Sequence, residues 1–443
     1  MKAPQILAFL LITLTHGFLY GQNFNKPKLD SLLDILAVNN KAMGSMVLSK
    51  HGTIVYSKVI GYSLISGEKE EPATENTIYR IGSITKMFTA TMIFQLIGEG
   101  KLSLNTTLDK YYRQFPNAGK ITIGHMLSHR SGLFNYTSDS MFLAAMTQPK
   151  TKKEMLPIMA KHPVDFQPDE KFVYSNTNYM LLGYIIENIT RKSYEENLER
   201  RITSPLGLTS TRVSGTGVEA ISYRFAGAWV SIPRAHVSTL GGAGSIVSTP
   251  TDLVKFVEAL FANKLVPVAT LNEMRTLRDG MGMGMFVVPF HDKRGYGHNG
   301  FVDGTVSHVY HFPEDEVTIA YCSNGLGYGV NDILIGALSI YFDMPYKLPV
   351  FDPDAKMALL SEGDLDKYVG VYSSANLPQK ITISKDGAQL TAQATGQSAF
   401  TLQPAGKDKF KFDTAGIAME FNPETNEMIL LQSGFRFVFT KAP

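Results

Sequence analysis

Three short runs in this sequence carry side chains whose types and spacing could do chemistry. In Arg80-Ile81-Gly82-Ser83-Ile84-Thr85-Lys86-Met87-Phe88, a serine stands three residues before a lysine, at the head of an apolar run ending at Gly98-Glu99-Gly100. If Ser83 opens a helix there, Lys86 lies one turn on and on the same face, so hydroxyl and amine can touch. Serine attacks only when a neighbouring base takes its proton, and a desolvated lysine with a lowered pKa is such a base. A helix start also leaves backbone N–H groups unpaired, where an oxyanion can be held. The spacing alone equally fits a helix cap and a solvated lysine, so the other two runs must decide.

In Phe172-Val173-Tyr174-Ser175-Asn176, the tyrosine and asparagine are two residues apart ahead of a second helical run. Positions i and i+2 of an extended segment point the same way, so a phenol able to carry protons and a carboxamide face one cleft. The carboxamide can hydrogen-bond both the lysine and a substrate carbonyl. Gly297-His298-Asn299-Gly300-Phe301 comes just before a hairpin at Thr305. A polar side chain between glycines at a strand edge suits a peptide that docks as an extra strand. Two other patterns carry less. His125 and His129 have the i, i+4 spacing of a metal pair but lack the glutamate of a metalloprotease motif. Gly280-Met281-Gly282-Met283-Gly284 has no strand–helix context for a dinucleotide and reads as the approach to a strand.

The elements that must position these runs follow from periodicity. Lys28–Val38 is an amphipathic helix, and Ser45–Lys50 and Thr53–Tyr62 alternate as a hairpin about His51-Gly52. The apolar positions Ile84, Met87, Phe88, Ile93, Leu96 and Ile97 predict a central, buried helix after Ser83. A mostly helical stretch runs to about residue 265 and includes Ile121–Leu133, Tyr179–Thr190 and Thr251–Phe261. Strands return at Met283–Pro289, Thr305–Phe312 and Val317–Asn324, and Asp332–Phe342 closes the unit as a helix. Strands at both ends with helices between predict an α+β fold: an antiparallel sheet whose first and last parts meet, with a helical lobe inserted. After a Pro-rich linker from about residue 349, some eight short strands between Tyr368 and Thr440 predict a small antiparallel β-barrel without an acid–base cluster.

Composition narrows the function. The 443 residues hold 19% charged side chains and a net charge of +2, which argues against a nucleic-acid footprint. The single cysteine, Cys322, lies in an apolar run and reads as a buried structural thiol, with no disulfide and no cysteine-based metal site. Lys2 followed by the apolar run Ile6–Thr15 predicts a leader at 1–21 and export, and no later segment is apolar enough to span a membrane.

Taken together, Ser83-Ile84-Thr85-Lys86, Tyr174-Ser175-Asn176 and His298-Asn299-Gly300 occur in the order seen in the serine β-lactamase/penicillin-binding hydrolases of the class C type. The chain resembles that family further in Ile121–Leu133, Pro205-Leu206-Gly207-Leu208, Gly241-Gly242-Ala243-Gly244 and Ser248-Thr249-Pro250-Thr251-Asp252-Leu253. The resemblance covers roughly 28–345, within a catalytic domain drawn at 22–348, and the tail at 349–443 resembles the lipocalin-like barrel of some members. It implies Ser83 as the acylated nucleophile, Lys86 as its activator, Tyr174 as the proton relay and Asn176 as the holder of the substrate amide. Asn299, Gly300 and Phe301 would line the substrate, with the N–H groups of Ser83 and Phe301 as the oxyanion hole. No cofactor is implied.

Three departures from the family pattern bear on substrate. His298 stands where penicillin-hydrolysing members carry lysine, Asn299 replaces a threonine or serine that would bind a carboxylate, and Pro168-Asp169 replaces Pro-Gly. An imidazole with its free pKa of about 6.5 is mostly neutral at about pH 8 and largely charged at about pH 5.5, so a carboxylate substrate should bind better as pH falls. The expected substrates are peptides containing D-residues, or small amides and esters. The alternatives are a true β-lactamase or esterase, and a sensor that is acylated by β-lactams or muropeptides without turnover.

Overall fold

A computed structural model describes residues 24–442 apart from 68, 216, 352–361, 375–376, 388, 396–398, 413–416 and 433–434. The expected leader at 1–21 and most of the expected linker therefore lie outside the described residues. Helix α1 (Lys26–Val38) is capped by the Asn25 side chain, carries a proline in its first turn and buries Leu29, Leu32, Leu33 and Leu36. Strands β1 (Ala42–Lys50) and β2 (Thr53–Ile60) are joined by His51-Gly52. Both turn residues have positive φ, +50° and +75°, the requirement of a type I′ hairpin turn.

Helix α2 (Thr85–Gly98) has no polar stripe and is buried almost throughout. It packs with α3 (Asn176–Thr190) and α4 (Pro250–Phe261), the rings of Phe88 and Phe256 stacking at 3.7 Å. The sheet is completed by β3 (Phe286–Phe290), β4 (Lys293–Val302), β5 (Thr305–Phe312) and β6 (Val317–Leu326), with α5 (Val330–Tyr341) behind it. Its order is β3-β4-β5-β6-β1-β2, and β1 runs antiparallel to β6, with Ala42 opposite Leu326 and Lys50 opposite Val317. The first and last parts of the unit thus meet, as the pattern predicts. Helices α1 and α5 cover one face and the helical lobe the other, which is why β5 and β6 read as nearly continuous apolar runs.

Two regions differ from expectation. The helical stretch contains short strands at Arg212–Val213, Tyr223–Phe225, Trp229–Ser231 and Ile246–Ser248, too brief to show alternation. Strand β4 is ten residues long although glycine-rich, because pairing with β3 and β5 outweighs its weak propensity.

Beyond the linker, eight antiparallel strands from Gly370–Ser374 to Phe435–Lys441 close into a barrel in chain order. Ile381, Ile383, Leu390, Ala392, Leu402, Phe410, Met419, Met428 and Phe439 fill it by simple alternation. The expected first strand begins two residues late: Tyr368 ends a short 3₁₀ segment and its hydroxyl donates to Asp408 at 2.6 Å. Among the described residues no helix is long and apolar enough to cross a membrane.

Candidate active site

Ser83 lies in a 3₁₀ turn, Gly82–Ile84, that runs directly into α2. Gly82 makes the turn possible: its φ is +51°, and a Cβ there would come within 2.9 Å of the Phe301 nitrogen. The Ser83 N–H sits in the first turn, where no helical acceptor exists, and the Phe301 backbone is drawn up beside it. In β4 the two-residue turn Asp303-Gly304 sets Val302 opposite Thr305 and Gly300 opposite Ser307. Alternate residues therefore spend their backbone groups on β5, while Asn299 and Phe301 present theirs outward. Strand β3 begins at Phe286, opposite Gly297, so residues 298–302 lie beyond its pairing and form an edge beside Ser83.

Lys86 is fully buried. Its Nζ lies 2.9 Å from Ser83 Oγ, 2.8 Å from Asn176 Oδ1 and 2.8 Å from the Ala243 carbonyl oxygen. Burial holds its pKa well below the ordinary lysine value, with no compensating carboxylate. A neutral amine fits these neighbours: two N–H groups donate to Asn176 and Ala243, and the lone pair accepts the Ser83 hydroxyl. The ammonium formed when it takes the serine proton donates to the same three oxygens.

Tyr174 and Asn176 flank the N-cap of α3 and face the same space. The Tyr174 hydroxyl is hydrogen-bonded to Ser83, and burial raises its pKa, so the ring is present as a neutral phenol. Lys86 Nζ lies 4.9 Å from the centre of that ring. Asn176 is fixed at three points: Oδ1 accepts from Lys86, Nδ2 donates to Thr137 Oγ1 at 2.9 Å, and its N–H donates to Asn135 Oδ1 at 3.0 Å. One Nδ2 hydrogen is left for a substrate carbonyl. His129 stacks on Tyr174 at 4.2 Å and accepts the Ser175 N–H at 3.1 Å through Nδ1. It thus positions the tyrosine, while His125 closes the capping box of a short helix with Thr122. No cluster of three metal-ligating side chains occurs among the described residues.

His298 reaches the site from β4, its ring centre 6.4 Å from that of Tyr174. Its burial argues against the pH dependence expected of it. Burial first, and the nearby Lys86 second, push its pKa down to about 3, so it stays neutral through the range where a free imidazole charges. Gly300 is held against the nucleophile loop, since a Cβ there would lie 1.9 Å from the Ile81 carbonyl oxygen. Asn299 is set apart: alternation along β4 turns it from His298, and it lines a hollow of about 310 Å³ with Phe286, Tyr310 and Leu338.

A cleft of about 320 Å³ opens on Ser83, Asn176 and Phe301, walled mostly by Tyr136, Leu143, Met146, Leu240 and Val302. A larger hollow of about 440 Å³ beside Leu198 and Leu208 lies away from this chemistry and contains none of the candidate residues. The sequence reading missed the supports: the Ala243 carbonyl, Asn135, Thr137 and the His129 stack. Asp169 has φ +69°, which accounts for a glycine being usual at that position. Here the side chain is held by Arg130 at 2.8 Å and Arg278 at 2.7 Å.

The fold and this cleft define a serine hydrolase with a beta-lactamase-like fold. The chain belongs to the beta-lactamase family, whose model matches residues 40–337. It is 25% identical over 430 residues to a penicillin-binding protein of Bacillus subtilis (strain 168), covering 90% of this chain and 94% of that protein. It is 29% identical over 309 residues to the teichoic acid D-alanine hydrolase of Staphylococcus aureus (strain MRSA252), covering 67% and 74%. The structure of D-amino acid amidase from Ochrobactrum anthropi SV3 with L-phenylalanine amide superposes with a TM-score of 0.63 at 26% identity, over 72% of this chain and 98% of that one.

Proposed function

We propose that the protein is an exported hydrolase that forms an acyl-enzyme on Ser83 and cleaves amide or ester bonds of D-amino-acid compounds whose leaving end is uncharged. The observation that carries this is Lys86, buried without a carboxylate and 2.9 Å from Ser83 Oγ. The neutral amine takes the serine proton as Oγ attacks the carbonyl carbon, and the Ser83 and Phe301 N–H groups receive the oxyanion. The proton taken by Lys86 passes through Tyr174 to the leaving nitrogen or oxygen, the bond from the carbonyl carbon to that atom breaks, and the Ser83 ester remains. Water, deprotonated through the same groups, then cleaves the ester and restores the serine.

The charge distribution supports the substrate class. Carboxypeptidase and β-lactam substrates bring a carboxylate, but His298 is neutral and Asn299 faces another hollow. A neutral amide or ester meets no such lack, and relatives of this chain are a teichoic acid D-alanine hydrolase and a D-amino acid amidase. The test is a rate panel of D-amino-acid amides, D-alanyl esters, D-Ala-D-Ala peptides and nitrocefin. Amides and esters should lead; nitrocefin as the best substrate would replace this reading with a β-lactamase.

A further inference from the structure

At the wall of the cleft, which Asp303 itself lines, lies a buried ion pair that the proposed chemistry does not use. Arg80 and Asp303 are joined through Nη1 and Oδ2, with side-chain exposures of 2% and 7%. Arg80 Nη2 also donates to the Ala235 carbonyl at 3.0 Å, and the Ala235 N–H donates back to Asp303. Arg80 Nε is buried without a partner, and among the described residues Asp303 is the carboxylate bonded to this guanidinium, with Glu219 acting at longer range. A pair this deeply buried is a poor source of stability compared with apolar packing, which directs attention to what it positions.

Its two members stand at the roots of the two N–H groups facing the oxyanion. Arg80 is three residues before Ser83, and Asp303 is two residues after Phe301. Asp303 and Gly304 have φ values of +51° and +80°, the type I′ turn that ends β4. Around the pair, the Ser307 hydroxyl donates to the Ile81 carbonyl at 2.8 Å, and Gly82 and Gly300 let the two backbones touch. Two segments far apart in sequence, each carrying one donor, are thus clamped at a single charged contact.

We infer that Arg80 and Asp303 are positioning residues that fix the separation of the Ser83 and Phe301 N–H groups, and so act on the transition state rather than on substrate binding. This rests on the acyl-enzyme reading above. Donors aimed at developing charge are sensitive to small displacements, so loosening the clamp costs kcat and spares KM.

The experiment compares wild type, Asp303→Asn and the double variant Arg80→Gln/Asp303→Asn on D-alanine p-nitroanilide. Asparagine keeps the turn, and the double variant leaves no lone buried charge should the single one fail to fold. Phenylboronic acid, which adds to a serine as a tetrahedral anion, probes the transition state, and a fluorophosphonate probe reports on Ser83. Both variants should lose about tenfold to a hundredfold in kcat with KM unchanged, and the boronate inhibition constant should rise by the same factor. If Ser83 is labelled and the variants melt earlier while kcat and boronate affinity stay put, the pair is only structural and the inference fails. Failure of wild type to be labelled at Ser83 would overturn the acyl-enzyme reading, and this one with it.

Discussion

The sheet of the catalytic unit and the C-terminal barrel are both antiparallel and both bury apolar side chains, yet among the described residues only the first also buries polar ones. Around Ser83 the fold hides Lys86, His129, Ser175, Asn178 and His298, each with hydrogen-bond or ring partners. In the barrel, no Ser, Thr, Asn, Gln, His or charged side chain is buried among the described residues; Tyr368, Tyr372, Phe410, Phe421 and Phe439 fill the interior instead. Buried polar groups are costly unless satisfied, and they accumulate where chemistry requires them. The difference separates a unit selected for reaction from one selected for packing. The two also hold separate apolar clusters, one reaching Phe351 and the other starting at Leu365.

The sharpest way to break this comparison is Ser83→Ala. It should lower kcat/KM by at least about 10⁴ and abolish fluorophosphonate labelling, read by mass mapping. Lys86→Met should slow acylation by at least a factor of about 100 while raising the melting temperature. The folded wild type holds fewer protons on Lys86 than the unfolded chain, so its stability rises with pH until the free lysine value of about 10.4. The stability gain of the Met variant should accordingly be largest at neutral pH and shrink toward pH 10. In the barrel, Phe421→Ala should cost about 3–5 kcal/mol of barrel stability by removing a ring packed on Tyr368, Tyr372 and Phe410, with kcat/KM unchanged. Coupled loss of activity would show that the two units share their stability. The smallest effect is a null. KM for a carboxylate substrate, relative to its neutral amide, should not improve between pH 8 and pH 5.5, because burial holds the His298 imidazole well below its free value.

What was legible in the sequence was whatever depends on short-range spacing. Ser83 and Lys86 meet because three residues span one turn, and the barrel strands show as plain alternation about turns. Tyr174, Asn176 and His298 could be brought to the same place only through the family resemblance. The supports were beyond reach. A carbonyl such as that of Ala243 carries no residue-type signal, and Thr137 reaches Asn176 through tertiary packing alone. The charge state of His298 and the direction of Asn299 failed for a related reason. One depends on burial by distant elements and the other on which face of β4 meets the nucleophile.

The pairing of β1 with β6 has a consequence for how the enzyme comes into being. Ser45 sits opposite Cys322, and every candidate catalytic residue lies in the chain between them. This pair is therefore among the sheet's last contacts to become available during synthesis, and the entropy of closing so long a loop must be met before it forms. Folding should be slow and nearly all-or-none for this unit, with refolding rates set by the capture of residues 317–326 by β1. A nascent chain released before that segment pairs β1 with β2 alone and leaves its other, apolar edge uncovered.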